Sequence, residues 1–319
     1  MATLATLVTG KGYDASQGLI EEVAKLVPEL DTFDSILIPG TTFQSVAQTS
    51  DPTTGFRTAG NGIDASDEGY RLDTFALGIL AGLCQRDKAV FDADVRGRAA
   101  ALRAAAVSMV RSGMKTLAGK VWYGAAANAE KFNGCAALVK STLVVNAGQS
   151  TANESSSAFA VGIGADKCHL VFNEESALLT RAELEWKEGI MNGTNDKPVP
   201  SYWTDLTGWA GFACRNTNAI ARIANLGAYN ASAASNKALT DELLAELVSK
   251  YAEANDGVNP NAIFCTFKQR LALQKSRGTT VRTGAKSTVE ITAGVPLEYA
   301  GIPIIATNSL VDTEAVWSA

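Results

Sequence analysis

The stretch Val295-Pro296-Leu297-Glu298-Tyr299-Ala300-Gly301-Ile302-Pro303-Ile304-Ile305-Ala306-Thr307-Asn308-Ser309-Leu310 lies near the end of a chain of 319 residues. Leu297 to Thr307 reads as a strand, and Thr288 to Ile291 as the strand paired with it, with a turn around Gly294. Upstream, Ala262 to Thr266 reads as a buried strand and Phe267 to Arg277 as a helix carrying Arg270-Leu271-Ala272-Leu273. A Gly/Thr/Arg/Lys segment, Gly278 to Ser287, joins the two pieces.

Working outward, Ala238 to Asn255 has helical spacing through Leu239, Leu243, Leu244, Leu247, Val248 and Tyr251, and Asn259-Pro260 breaks it. Before it the chain alternates short strands and loops: Ala136 to Val145, Ala158 to Ile163, Cys168 to Phe172 and Gly208 to Cys214, with a helix expected over Ala219 to Leu226. The longest helix is expected from Asp94 to Tyr123-Gly124, roughly 28 residues and about 40 Å, long enough to span a molecule as a spine. At 100° per residue, Arg96, Arg103, Arg111 and Lys115 fall on one side of it. From Ser35 to Ile79 the texture is strand-like, interrupted by Gln48 to Glu68, where only Phe56 and Ile63 are clear hydrophobes. A loop of that length with no core of its own is either mobile or laid against another molecule. Ser16 to Leu30, with Asp14 or Ser16 as cap, reads as a short amphipathic helix, and no internal repeat is visible.

Hydrophobic residues make up 46% and charged residues 19%, which excludes a disordered chain and is ample for a core. The longest apolar run, Phe75 to Cys84, is about half what a bilayer span needs, and the start lacks a secretory pattern, so an intracellular site and no membrane are expected. A net charge of -5 argues against a protein held on nucleic acid by overall charge. The charge is uneven, however: residues 1–80 balance at -7, whereas residues 81–130 balance at +4.

Enzyme chemistry finds little support. Cys84, Cys135, Cys168, Cys214 and Cys265 lack the short spacings of metal or redox motifs and read as buried reduced thiols. The only histidine, His169, is set between Cys168 and Leu170 in a strand-like run, where neighbours point to opposite faces, so it reads as structural. Gly162-Ile163-Gly164 lacks the third glycine of a dinucleotide loop, and Gly284-Ala285-Lys286-Ser287-Thr288 departs from a phosphate loop and runs into a strand. The acidic pairs Glu174/Glu175 and Glu183/Glu185 lack metal-ligand spacing. No catalytic, cofactor or metal site is expected, and the sequons at Asn153, Asn192 and Asn230 carry no weight without secretion.

The order of elements resembles the major capsid proteins of tailed bacteriophages, the HK97-like α+β fold: arm, extended β-hairpin loop, long spine helix, mixed domain, returning strand pair. The closing stretch, with Gly301-Ile302-Pro303-Ile304 and Thr307-Asn308, is similar to the end of these shell proteins, where many have aspartate at the Asn308 position. Asn261 to Arg277 is similar to the strand and helix that precede it. By letters the resemblance covers only about the last 60 residues.

The resemblance implies an N-terminal arm (1–34), an extended loop (35–84), a peripheral domain with the spine helix (85–130 and 285–319) and an axial domain (131–284). It implies self-assembly into hexamers and pentamers of an icosahedral shell enclosing double-stranded DNA, in a virion assembled in the host cytoplasm. Portal, scaffold and decoration proteins are the expected partners, and no enzyme activity is expected. Phe56, Arg57, Ile63 and Arg71 are the expected intersubunit contacts, with Arg57 paired to an acid of a neighbour. Arg96, Arg103, Arg111 and Lys115 are expected to face the lumen and its DNA. The alternatives are an encapsulin-like compartment shell or a small-oligomer α/β enzyme. No prosegment is expected before the arm. No lysine lies between Lys25 and Lys88, so the loop lacks the nucleophile with which the type member of the fold cross-links its subunits.

Overall fold

A computed structural model describes residues 2–3, 27–151, 153–174, 185–193, 196–227, 237–277, 279–282, 288–291 and 294–318. Most of the expected helix from Ser16, the residues Glu175 and Glu183, Asn230 and the core of the Gly284 segment lie outside the described residues.

The first part of the chain forms β1 (Ala2–Thr3), α1 (Pro28–Thr32), β2 (Asp34–Ile38), β3 (Thr42–Ser50), β4 (Gly69–Ala76), β5 (Gly78–Asp87), α2 (Lys88–Asp92) and α3 (Arg98–Tyr123). Then come α4 (Cys135–Leu138), β6 (Val144–Asn146), β7 (Ser155–Val161), β8 (Cys168–Asn173), β9 (Lys187–Asn192), β10 (Pro198–Cys214) and β11 (Ile220–Gly227). The last part holds α5 (Asp241–Ala254), β12 (Ala262–Cys265), α6 (Phe267–Ser276), β13 (Thr279–Arg282), β14 (Thr288–Ile291), β15 (Glu298–Tyr299) and β16 (Ile302–Ala306). One six-stranded sheet has the order β1-β2-β8-β10-β5, with β9 also paired to β10. A second runs β15-β16-β12-β7-β11-β6, and β3-β4 and β13-β14 are separate two-stranded hairpins.

The spine α3 joins the two sheets through its C-terminal half, where Met114, Leu117, Ala118, Val121 and Trp122 are buried. Trp122 stacks on Phe159 of β7 at 5.2 Å, and Phe33, just past α1, stacks on Phe264 of β12 at 5.8 Å. Such aromatic pairs add roughly 0.5–1.5 kcal/mol each beyond the area they bury. At Gly78 the loop after α3 comes so close that a Cβ would lie 2.2 Å from the Glu130 carbonyl oxygen, so only glycine fits. Glu130 accepts hydrogen bonds from Lys120 (3.0 Å) and from the Ala125 amide (3.1 Å), clamping the end of the helix. Its own backbone amide and then Lys120 hold its carboxyl down at about 2.

The closing stretch earns its shape locally. Tyr299 pairs with Ile302, and the two residues between them, Ala300 (φ 50°) and Gly301 (φ 77°), both adopt the left-handed conformation of a tight hairpin turn. β16 then pairs in parallel with β12. Thr307 donates to the buried Glu29 of α1 at 3.0 and 2.9 Å and accepts from the Ser309 amide at 3.0 Å, so this threonine ties the tail to the start of the body.

Five expectations need correction. Ala219 to Leu226 is strand β11, not a helix; all eight of its residues are buried between β7 and β6, and an apolar run this short fits either period. Ala136 to Val145 is mainly helical, with α4, a 3-10 turn over Ser141–Leu143, and a strand beginning only at Val144. The spine starts at Arg98 rather than Asp94, because Gly97 (φ 88°) breaks the helix, and Asp94 instead accepts from Arg96 at 3.1 and 3.2 Å. The strand expected at Gly208 extends back to Pro198, along β9 and β5. β14 pairs with β13, so it is not the partner of the closing strand.

Three of the spread cysteines converge. Cys135, Cys168 and Cys214 share the main core, and the Cys168 and Cys214 sulfurs are 3.2 Å apart as free thiols. Burial raises the Cys135 and Cys168 thiols, and that of Cys265 to about 12, which suits inert core residues.

Candidate assembly surfaces

β3 and β4 pair in register from Thr42↔Ala76 to Ser50↔Gly69, with one irregularity between Gln48 and Ser50. Beyond them, residues 51–68 are held by a few polar contacts. The Thr53 amide donates to Ser66 Oγ (2.7 Å), the Gly69 amide to Ser50 Oγ (3.1 Å), and Arg57 Nη1 to the Asn61 carbonyl (3.0 Å). Phe56 is fully exposed, and Val46, Ile63, Tyr70 and Leu72 are each more than half exposed. An apolar series left in water along one projection is the mark of an unfilled interface. Arg71 is bonded to Asp73 on its own strand at 2.6 Å. Among the described residues the hairpin is seated on the body at its root: Phe43 and Phe75 pack on the cluster of Ile38, Leu77, Val171 and Ala213. The Leu77 amide donates to the Thr41 carbonyl at 2.9 Å, and Asn173 Nδ2 to the Gly40 carbonyl at 3.0 Å.

The N-terminal half of α3 lies over β5 across an open groove of about 690 Å³, lined by small helix residues such as Ala104, Ser108 and Ser112. Among the four expected basic residues, Arg103 and Lys115 are exposed and Arg111 is half-buried with its Nε enclosed. These three are carried on α3, whereas Arg96 precedes it and is paired with Asp94. Phe56, Arg57 and Ile63 lie in the segment beyond the paired strands, while Arg71 lies on β4, so all four belong to one projection, whereas the four cations lie in two places.

Sequence reasoning missed a buried polar clamp on the tail. Glu314 accepts from Ser157 Oγ at 2.5 Å and from Arg222 Nη2 at 2.8 Å, and it also accepts from the Tyr123 hydroxyl. Arg222 Nε donates in turn to Ser157 Oγ at 2.8 Å. Burial, and then the Glu314 charge, raise the Tyr123 hydroxyl and keep it a donor. Nothing in the local pattern around Glu314 marks it, since its partners come from α3, β7 and β11.

No group of three or more His, Cys, Asp or Glu side chains that could hold a metal ion occurs among the described residues, and no described helix is long and apolar enough to cross a membrane. A hairpin without its own core, a long spine helix and two sheets joined by it are the parts of an HK97-like shell subunit. The fold is similar to that of the bacteriophage Epsilon15 structure, with a TM-score of 0.62, 16% identity, and 90% of this chain and 88% of that chain covered. The bacteriophage JBD30 capsid is similar at a TM-score of 0.49 and 12% identity over 88% and 89%. An encapsulin complex from Synechococcus elongatus PCC 7942 is similar at a TM-score of 0.41 and 7% identity over 61% and 85%. No curated protein matches the chain in sequence. The family model of major capsid protein GP7 matches residues 39–318, from the root of the hairpin to the clamped tail. The chain belongs to this family of major capsid proteins: it is a structural subunit of a phage-type icosahedral shell and a component of the virion.

Proposed function

We propose that copies of this chain assemble as hexamers and pentamers around double-stranded DNA, held together chiefly by the hairpin acting on a neighbouring subunit. The observation that carries this reading is the series Val46, Phe56, Ile63, Tyr70 and Leu72, each more than half exposed among the described residues. Arg57 lies within that series and would pair with an acid of the neighbour, while Arg71, also an expected contact, is already bonded to Asp73 on its own strand. The same reading divides the chain into arm (1–34), extended loop (35–84), peripheral domain (85–130 and 285–319) and axial domain (131–284); the separate hairpin, Thr42–Ala76, lies within the loop so defined. The test replaces residues 50–66 by a short Gly/Ser turn. A folded subunit that no longer closes shells, seen by electron microscopy, is the expected result; normal particles overturn the reading.

The exposed cations Arg103 and Lys115, with Arg111 on the same helix and Arg96 ahead of it, would offset phosphate charge on the luminal side, weakly and without sequence preference. Assembly in the host cytoplasm with a portal, and with scaffold or decoration proteins, follows the same reading. So does the absence of a covalent lattice, since residues 35–84 contain no lysine. Particles boiled in detergent should run as one band near 33.4 kDa, and a ladder under reducing conditions refutes this last point.

A further inference from the structure

His169 is the only histidine of the chain, and it is fully buried. On β8, Leu170 and Phe172 face the main core while Val171 faces the root of the hairpin, so strand alternation puts His169 on the hairpin side. There Phe43 of β3 meets the imidazole edge to face, with ring centres 5.3 Å apart and an interplanar angle of 89°. No hydrogen bond of ordinary geometry reaches either ring nitrogen among the described residues, although the Gly164 backbone is close enough to favour the protonated ring. Ser45 Oγ, two residues along β3 from Phe43, is equally buried and unpartnered. Buried polar atoms left without partners oppose the packed state, and a native structure that keeps three of them at one seat needs a reason.

The charges around this seat are few. Arg215, beyond β10, donates to Asp166 (2.9 Å) and to the Ala165 carbonyl (3.2 Å), and reaches the Val46 carbonyl of the hairpin itself at 3.5 Å. Asp34 opens β2, and the hairpin contributes the Arg71–Asp73 pair, whose Asp73 stands opposite Ser45. From β10 the residue opposite His169 is Ala213, which carries no charge.

We infer that His169 is an acid-sensitive latch for the extended hairpin: a proton on its imidazole unseats Phe43 and loosens the root of the hairpin while the two large sheets stay folded. The inference concerns a seat inside one chain, so it stands whether or not the hairpin reaches a neighbour. Burial lowers the imidazole below its ordinary value, and Arg215 acts in the same direction, against the Gly164 backbone, Asp34 and Asp166. An unseated hairpin leaves the ring in water, where it titrates near 6.5. The open form therefore binds more protons. The seated form is fully favoured above about pH 6.5 and loses ground as pH falls below it, towards the lower value of the buried ring.

The test is hydrogen exchange of the full-length chain, with rates corrected for the intrinsic effect of pH. Between about pH 7.5 and 5, protection of residues 42–46 and 73–77 should fall about fivefold, while β7 and β12 change less than twofold. His169→Phe keeps a ring against Phe43 without a proton site and should abolish this pH dependence. His169→Leu serves the same purpose if the larger ring does not fit. Because there is one histidine, its reaction with diethylpyrocarbonate, relative to free histidine at the same pH, reads the seat directly and should quicken as pH falls. The inference is overturned if root protection is constant over this range, if it falls equally in both variants, or if His169 reacts like free histidine already at pH 7.5.

Discussion

The hairpin and the strand β7 use similar residues to opposite ends. All seven residues of β7 are buried between β12 and β11, whereas on β4 Tyr70 and Leu72 stand more than half exposed. Apolar surface stabilises a fold only when it leaves water, at about 25 cal/mol per Å². The body therefore draws its stability from within one chain, whereas the hairpin leaves apolar surface in water. On the function proposed above, the difference separates what a subunit needs to fold from what it needs to assemble, and substitutions in the two regions should divide along that line.

The largest effect on folding is expected at the junction of the sheets. Trp122→Ala removes the ring stacked on Phe159 and should cost about 3–5 kcal/mol in denaturant unfolding of the subunit. A loss below about 1 kcal/mol would show that the body does not depend on this junction. Next comes the tail clamp: Glu314→Ala leaves Arg222 buried without its counter-charge and should cost about 3 kcal/mol or more. Combining Glu314→Leu with Arg222→Met removes both charges and should recover most of that loss; a double variant no better than the single would contradict the charge argument. A smaller change, with the opposite sign, is expected from Ala300→Gly, which relieves a left-handed alanine at the cost of a freer unfolded chain and should stabilise by about 0.5 kcal/mol. Smallest of all on folding is Phe56→Ala with Ile63→Ala. Subunit stability should stay within about 0.5 kcal/mol while particle yield collapses, and a loss of folding instead would mean that the hairpin belongs to the body after all.

How legible each part was in the sequence depends on the range of the forces that shape it. The helix α5 could be read because Leu243, Leu244, Leu247, Val248 and Tyr251 recur at helical spacing, although its start falls at Asp241, after the Thr240 cap, rather than at Ala238. The poorly cored stretch 48–68 could be read because too few hydrophobes remained to build anything there. The Gly301-Ile302-Pro303-Ile304 ending carried the family resemblance, and the turn at Ala300-Gly301 gives a local reason for its form. β11 could not be told from a helix, since its apolar run is short and only pairing with β7 and β6 decides its period. Arg96 was placed on the spine because the expected helix begins at Asp94, yet Gly97, at φ 88°, separates both residues from α3. His169 was recognisable as structural, but not as the seat of Phe43, which is brought to it by the sheet.

By itself, the sequence determined the locally encoded features: most of the long helix, the polar loop with its two lone hydrophobes, and the extended character of the closing stretch. These follow from periodicity, capping and turn chemistry, which act over a few residues. The tertiary structure alone decided which distant groups meet. It joined Glu314 to Arg222 and Tyr123, Glu29 to Thr307, Cys168 to Cys214, and His169 to Phe43. A buried charge or polar atom selects its partner by position in space, because desolvation makes every unmatched neighbour costly, and separation along the chain carries no information about that choice.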